Sequence, residues 1–193
     1  MRKIMFNDKF GLTKAVLEGR KIQTRRTMTD STAMTVQNRK DSLVASNYTK
    51  DEIDKHLSKF GETISLYKVG DVVAIAQNYK DCGLTGESMK DCPGWRNKMF
   101  VKAELMPHRI QITGIRIERL QDISDEDCLK EGIYEDGGDD SYLPHYFYNY
   151  PGSNSDGFKT PRLAYTDLIN RVAYPSIWDS NPWVLVYDFK LTR

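Results

Sequence analysis

The sequence predicts a mostly β chain of the α+β class, folded as a small antiparallel β-barrel with helices at its periphery. Residues 72–76 are continuously apolar, which fits a strand buried on both faces. The segment 108–120 has strand periodicity, but its inward face changes at Thr113-Gly114. Such a change indicates a β-bulge, and a bulge bends a strand as a small barrel requires. The four side chains that mark the two faces are Ile110, Ile112, Ile115 and Ile117.

Cap signals predict the helices around this sheet. A short strand at residues 3–6 leads into the first helix, which ends where Gly19 provides a left-handed C-cap. Ser124 is an N-cap followed by acidic residues, and Thr160-Pro161 supplies the N-cap and first position of another helix. The predicted helices span about residues 8–18, 124–132 and 160–173.

Three polar excursions interrupt the predicted barrel, at about residues 27–65, 77–100 and 134–159. The first contains a capping box, Thr49-Lys50-Asp51-Glu52, which opens a short helix. The third carries aromatic side chains that either stack on nucleic-acid bases or cover one end of the barrel. They are Tyr142, Tyr146, Phe147, Tyr148, Tyr150 and Phe158.

Composition bounds the class of protein. A chain of 193 residues with 39% apolar content fits a single domain, spanning residues 1–193. A formal net charge of +1 limits any nucleic-acid surface to a local patch and disfavours binding to a long duplex. No apolar run approaches the about 18 residues of a membrane span, and residues 1–6 lack a signal-peptide core, so we expect a cytoplasmic protein.

The three cysteines predict neither disulfides nor a metal centre. They form an odd, sparse set without a C-x-x-C pair, which favours reduced thiols. We therefore expect no structural metal and no cofactor, and the sequence leaves the oligomeric state open. The residues are Cys82, Cys92 and Cys128.

The segment 19–26 combines basic side chains with a hydroxyl where a helix gives way to an extended segment. In a strand, Thr24 and Arg26 share one face and Arg25 takes the other. One interpretation is a compact cationic pocket that contains a hydroxyl group. The alternative is a solvated basic face that favours the helix dipole. The residues concerned are Arg20, Lys21, Thr24, Arg25 and Arg26.

The spacing Gly19-x-Lys21-x-x-x-x-Arg26 resembles the motif of the ASCH family, named for activating signal cointegrator homology. Residues 67–73, 108–123 and 180–190 resemble further segments of bacterial and phage-encoded members, and the matches follow the order of the family. The resemblance implies a PUA-like β-barrel. It also implies a cleft that binds RNA or a modified nucleoside or nucleotide, with Arg20, Arg25 and Arg26 as ligand-binding residues. A role as an interaction protein of a phage or mobile element is a further possibility.

A narrower resemblance implies an enzymatic alternative. A small bacterial member of the family is an amidohydrolase that deacetylates N4-acetylcytidine through a lysine, a threonine and a glutamate. Lys21 and Thr24 match two of these, and the glutamate falls on Glu131, with Glu126 as an alternative. Thr24 would then be the nucleophile, Lys21 its base and Glu131 the acid or base.

Lys21 needs a lowered pKa for this chemistry. Burial and neighbouring arginines lower the pKa of a lysine, whereas a glutamate close by raises it, so the sequence leaves the net direction open. The simplest alternative is that Lys21 and Glu131 form only an ion pair and that Thr24 is an ordinary strand residue.

Overall fold

A computed structural model describes residues 1–84, 86–137 and 146–192, without the side chains of Met89 and Tyr146. Within these residues the strands are β1 (Lys3–Ile4), β2 (Gln23–Thr27), β3 (Val72–Ile75), β4 (Arg109–Arg119), β5 (Tyr134–Gly137), β6 (Tyr146–Asn149) and β7 (Trp183–Thr192). The α-helices are α1 (Leu12–Leu17), α2 (Asp30–Ala45), α3 (Lys50–Ile64), α4 (Asp125–Lys130), α5 (Pro161–Val172) and α6 (Ile177–Ser180). Short 3-10 turns lie at Glu87–Met89, Pro93–Trp95, Lys98–Phe100, Ala103–Leu105 and Leu120–Asp122.

The main sheet has five strands in the order β1-β3-β4-β7-β2. The short β1 runs parallel to β3, and the other neighbours are antiparallel. A separate hairpin pairs β5 with β6. Strands β1 and β2 are the two edges of the main sheet, and no pairing among the described strands joins them.

The two longest strands, β4 and β7, pair along almost their whole length and carry the predicted bulge. Their register shifts between Ile112 and Gly114, which confirms the bulge inferred from the change of face. A Cβ atom on Gly114 would lie 2.9 Å from Oδ2 of Asp188. Glycine at the bulge therefore leaves room for the Asp188 carboxylate against the strand.

Two groups of apolar side chains stabilise the two ends of β4. The larger core lies between the sheet and helices α1 and α5, and includes Ile112, Val16 and Leu168. At the other end, Ile117 and Trp183 pack against the α2–α3 pair. Helices thus cover the sheet at both ends of β4.

The predicted excursions differ in their content. Residues 27–65 contain the two longest helices, and both hydrogen bonds of the capping box between Thr49 and Glu52 are present. The described part of 77–100 consists of turns and loops, and 134–159 contains the β5–β6 hairpin. Tyr142 lies outside the described residues.

The α+β class and the positions of the three predicted helices are confirmed. The prediction of a mostly β chain is wrong in its proportions, because helix accounts for 40% and strand for 22%. The long helices of the first excursion account for much of the difference. Among the described helices, none is both long and apolar enough to cross a bilayer.

Candidate functional site

The end of α1 turns Lys21 into the protein. Gly19 has φ 74°, and its N–H donates to the carbonyl of Val16 at 3.0 Å. The N–H groups of Arg20 and Lys21 then both donate to the carbonyl of Ala15, at 2.9 and 3.0 Å. This left-handed cap folds the chain back over the helix end. The Lys21 side chain is consequently 2% exposed.

Strand β2 supplies Thr24 and Arg26. The extended conformation predicted for this segment is confirmed, and β2 pairs with β7 along Gln23–Thr27. Thr24 is buried, and its hydroxyl has no hydrogen-bond partner among the described residues. Arg26 is exposed, and its guanidinium donates to the carbonyl of Met5, just beyond β1. The two edges of the main sheet therefore approach each other at this point.

Glu131 meets Lys21 at the end of α4. Its carboxylate accepts a hydrogen bond from Nζ of Lys21 through Oε2, and its backbone carbonyl accepts another at 2.8 Å. Gly132 follows with φ 106°, a value that favours glycine. Glu126 lies on the exposed side of the same helix. Of the two glutamates considered, only Glu131 contacts Lys21.

These side chains surround one small cavity of about 60 Å³ between the two sheet edges and α5. The cavity is lined by Lys21, Thr24 and Arg26 of the segment 19–26 and by Glu131 at the end of α4. Apolar side chains of α1 and α5, including Leu12 and Leu168, line the rest. The structure therefore brings these four residues together around one cavity, whereas their chemical roles remain predictions.

Arg25 also borders the cavity, but its guanidinium is held by protein acceptors. The side chain is 1% exposed. It donates to Gln23 at 2.6 Å, Glu118 at 2.8 Å, Glu131 at 3.0 Å and Asp127 at 3.1 Å. With this many partners it has little capacity left for a ligand. Arg20 lies outside the cavity lining and forms a surface ion pair with Glu18. These contacts do not support the prediction that Arg20 and Arg25 bind a ligand.

A neutral network of charges extends from the cavity. Four cations and four anions are joined by ion pairs: Lys21, Arg25, Arg116 and Lys130 with Glu118, Asp127, Glu131 and Asp188. Its far end, at Arg116 and Glu118, borders a larger groove of about 630 Å³ between α3 and β4. The network fixes β2, β4, β7 and α4 relative to one another.

Three residues of this network, Asp188, Arg116 and Glu118, were not predicted from the sequence. Arg116 and Glu118 share one face of β4, where paired opposite charges inside a strand signal a polar face. Asp188 gives no comparable signal, because its contacts with Gln23 and Arg116 depend on pairing between distant strands.

Burial and the charge of Glu131 have opposite effects on the pKa values of Lys21 and Arg25. Burial lowers the pKa of Lys21 from its ordinary value, and the charge of Glu131 opposes this shift without reversing it. Burial also opposes ionisation of Arg25, but Glu131 and other neighbours outweigh it and raise the pKa of that guanidinium. Arg25 therefore stays charged, whereas Lys21 is the cation that loses its proton more readily than usual.

Tyr165 is a further residue of the cavity that sequence reasoning did not single out. It lies on α5, is 1% exposed and borders the same space as Lys21 and Thr24. Its hydroxyl has no hydrogen-bond partner among the described residues. The only signal in the sequence is a tyrosine on the buried face of a predicted helix.

The aromatic residues of 134–159 that the structure describes mostly pack against the core. Tyr150 is 1% exposed, donates its hydroxyl proton to Asp167 and stacks on Phe158 at a centroid distance of 6.3 Å. Tyr148 is also packed against the core. This arrangement agrees with the covering role rather than a base-stacking platform.

Comparisons with models of known protein families, with curated proteins and with solved structures find no match to this chain.

Proposed function

We propose that this chain is an ASCH-family amidohydrolase that removes a small acyl group from an N-acylated amine of the N4-acetylcytidine type. The observation that carries the proposal is the convergence of Lys21, Thr24 and Glu131 on one buried cavity. These three residues match the family's lysine, threonine and glutamate. The approach of β1 and β2 across this cavity also supports the proposed PUA-like barrel.

The size of the cavity favours the acyl end of the substrate. A space of about 60 Å³ holds roughly two water molecules, which is enough for an acetyl group but not for a nucleobase. The nucleoside would remain on the solvent side, where Arg26 is exposed. The apolar wall formed by Leu12 and Leu168 suits the methyl group of the acyl chain.

The first half of the reaction uses the proton that Lys21 and Glu131 share. When this proton lies on Glu131, the Lys21 amine is neutral and acts as a base. Thr24 Oγ1 bonds to the acyl carbon, and its proton passes to Lys21 Nζ. The carbon–nitrogen bond then breaks, and the departing nitrogen takes the proton from Glu131. An acyl ester of Thr24 and the free amine result.

Water completes the cycle. Glu131, now a carboxylate, takes a proton from a water molecule while the water oxygen bonds to the acyl carbon. The bond to Thr24 breaks, and Oγ1 recovers its proton from Lys21. The products are a carboxylic acid and the amine, and the Lys21–Glu131 pair again holds one shared proton. The lowered pKa of Lys21 supports the first step, because the neutral amine is then accessible at lower pH.

Acetate release from N4-acetylcytidine tests the proposal. Thr24→Val deletes the nucleophile with little change of shape, so turnover should be abolished while the substrate still binds. Lys21→Met should also abolish turnover, because it removes the proposed base. Thr27→Val and Lys14→Met are matched controls at exposed positions on β2 and α1, and both should keep wild-type activity. Absence of acetate release by the wild-type protein would refute the enzymatic proposal.

Binding of RNA or a nucleoside without turnover is the second candidate function. It is favoured by the ion pair between Lys21 and Glu131, since a lysine that keeps its proton in this pair is no base. Binding would then depend on exposed Arg26, and Arg26→Gln should weaken affinity and flatten its salt dependence. Thr24→Val would leave the affinity unchanged. Failure of short RNA and of nucleosides to bind at low salt would exclude this candidate.

A further inference from the structure

Tyr165 lines the cavity and carries a buried hydroxyl group. Its side chain is 1% exposed, and the described residues provide no partner for its hydroxyl. Buried hydroxyl groups in proteins are nearly always hydrogen-bonded, because leaving one unpaired costs free energy. The ring is held from the side by Trp178, in an edge-on contact with a centroid distance of 6.3 Å. The hydroxyl is therefore held in place by its ring and is available for a hydrogen bond.

The surroundings of Tyr165 define the missing partner as an acceptor. Burial, followed by the negative charge of Glu131, raises the pKa of Tyr165 well above its ordinary value, so the phenol keeps its proton and can donate it. Both carboxylate oxygens of Glu131 already accept hydrogen bonds, one from Lys21 and the other from Arg25. A group that enters the cavity can supply the acceptor.

We propose that Tyr165 donates a hydrogen bond to the carbonyl oxygen of the acyl group that enters the cavity. This inference rests on the proposed amidohydrolase function. When Thr24 bonds to the acyl carbon, the carbonyl electron pair moves onto that oxygen, and a donor placed there stabilises the developing negative charge. Arg26 is the other candidate donor, but its side chain is exposed, and one of its guanidinium N–H groups already donates to the carbonyl of Met5.

Tyr165→Phe tests this assignment, because it removes only the hydroxyl. We expect kcat for acetate release to fall by about 10²- to 10³-fold, as for other oxyanion donors. The melting temperature should be unchanged or raised, since the hydroxyl has no hydrogen-bond partner to lose among the described residues. A lower melting temperature with wild-type kcat would show a structural hydroxyl and overturn the proposal.

Tyr150→Phe is the matched control. Tyr150 is equally buried, but its hydroxyl donates to Asp167 outside the cavity lining. Its loss should lower the melting temperature and leave kcat at the wild-type value. An equal loss of kcat in both variants would attribute the effect to packing and would contradict a specific role for Tyr165.

A binding measurement separates this inference from the proposed function. In the Thr24→Val background, N4-acetylcytidine should bind several-fold more weakly when Tyr165→Phe is added, and acetamide, a small carbonyl probe, should respond in the same way. If the wild-type protein releases no acetate but both probes still depend on Tyr165, the amidohydrolase proposal fails and the Tyr165 contact stands. The Tyr165 contact is overturned if the Thr24→Val protein and the Thr24→Val/Tyr165→Phe protein bind the probes equally well. It is also overturned if neither probe binds to the wild-type protein.

Discussion

Nη1 of Arg25 lies 3.0 Å from Oε1 of Glu131, while the other oxygen of the same carboxylate accepts a hydrogen bond from Lys21. One anion thus contacts two buried cations of different character. Arg25 also pairs with Glu118 and Asp127, which ties Glu131 to the rest of the charge network. The position of Glu131 in the cavity therefore depends on Arg25, although Arg25 has little capacity left to contact a ligand.

The first prediction concerns this tie. Arg25→Met should lower the free energy of unfolding by about 3–5 kcal/mol, because it leaves buried carboxylates without their shared partner. Urea denaturation at neutral pH measures the change. The control Arg20→Met replaces a surface arginine that lies outside the network. It should change the free energy of unfolding by no more than about 0.5 kcal/mol. An Arg25→Met protein as stable as the wild type would mean that the network contributes nothing to folding.

The second prediction concerns the proton on Lys21. The negative charge of Glu131 raises the pKa of Lys21 against the effect of burial, so Glu131→Gln should lower that pKa further. Side-chain NMR of the lysine Nζ groups measures the titration. No change in the titration of Lys21 would contradict this prediction.

The same shift has a consequence for stability. Between the lowered pKa of Lys21 in the folded protein and the ordinary value of 10.5, the unfolded chain binds more protons. The free energy of unfolding therefore rises with pH in this window. Glu131→Gln extends this window to lower pH. The free energy of unfolding of the variant should therefore begin to rise at a lower pH than that of the wild type. An unchanged pH dependence would contradict the assigned role of Glu131.

The third prediction concerns acid stability. Burial opposes ionisation of Asp127, but the hydrogen bond from Lys130 and the charge of Arg116 outweigh it, so the pKa is lowered from 3.8. The stabilisation is present above 3.8 and is lost as the pH falls through the lower folded value. Asp127→Asn should cost about 2 kcal/mol at pH 7, as expected for losing hydrogen bonds to a charged group. It should also flatten the loss of stability below pH 3.8, whereas Asp125→Asn, at an exposed position of α4, should not.

Local signals explain which parts of this protein the sequence predicted. The cap at Gly19, the N-cap at Ser124 and the bulge at Thr113-Gly114 depend on neighbours within a few positions, and each appears in the structure. The capping box at Thr49 likewise predicted where α3 begins. The packing of the α2–α3 pair against Ile117 and Trp183 was not predicted, because it depends on long-range contacts.

In the site, too, local features were predicted and long-range contacts were not. The sequence grouped Lys21 with Thr24 through their proximity, and resemblance supplied Glu131, which indeed contacts Lys21. It treated Arg25 as a ligand-binding residue because charge alone does not reveal burial. The carboxylates that hold Arg25 come from β4 and α4, about a hundred positions away, and only the folded chain brings them together.

The fourth prediction concerns the turn that presents Glu131. Gly132 has φ 106°, and a Cβ atom there would lie 3.5 Å from Cβ of Lys21, an ordinary contact distance. Gly132→Ala should therefore cost stability mainly through its backbone conformation, by about 1–2 kcal/mol. The strained turn should also displace Glu131 from Lys21 and lower the rate of acetate release.

Gly70→Ala separates these two effects. Gly70 has φ 93° with open space around the added Cβ, and it lies outside the cavity lining. It should lose a similar amount of stability in urea denaturation and keep the wild-type rate of acetate release. If both variants lose activity in proportion to their stability, the turn after α4 has no specific role in placing Glu131. A loss of activity confined to Gly132→Ala would show that the backbone conformation at this glycine sets the geometry of the Lys21–Glu131 pair.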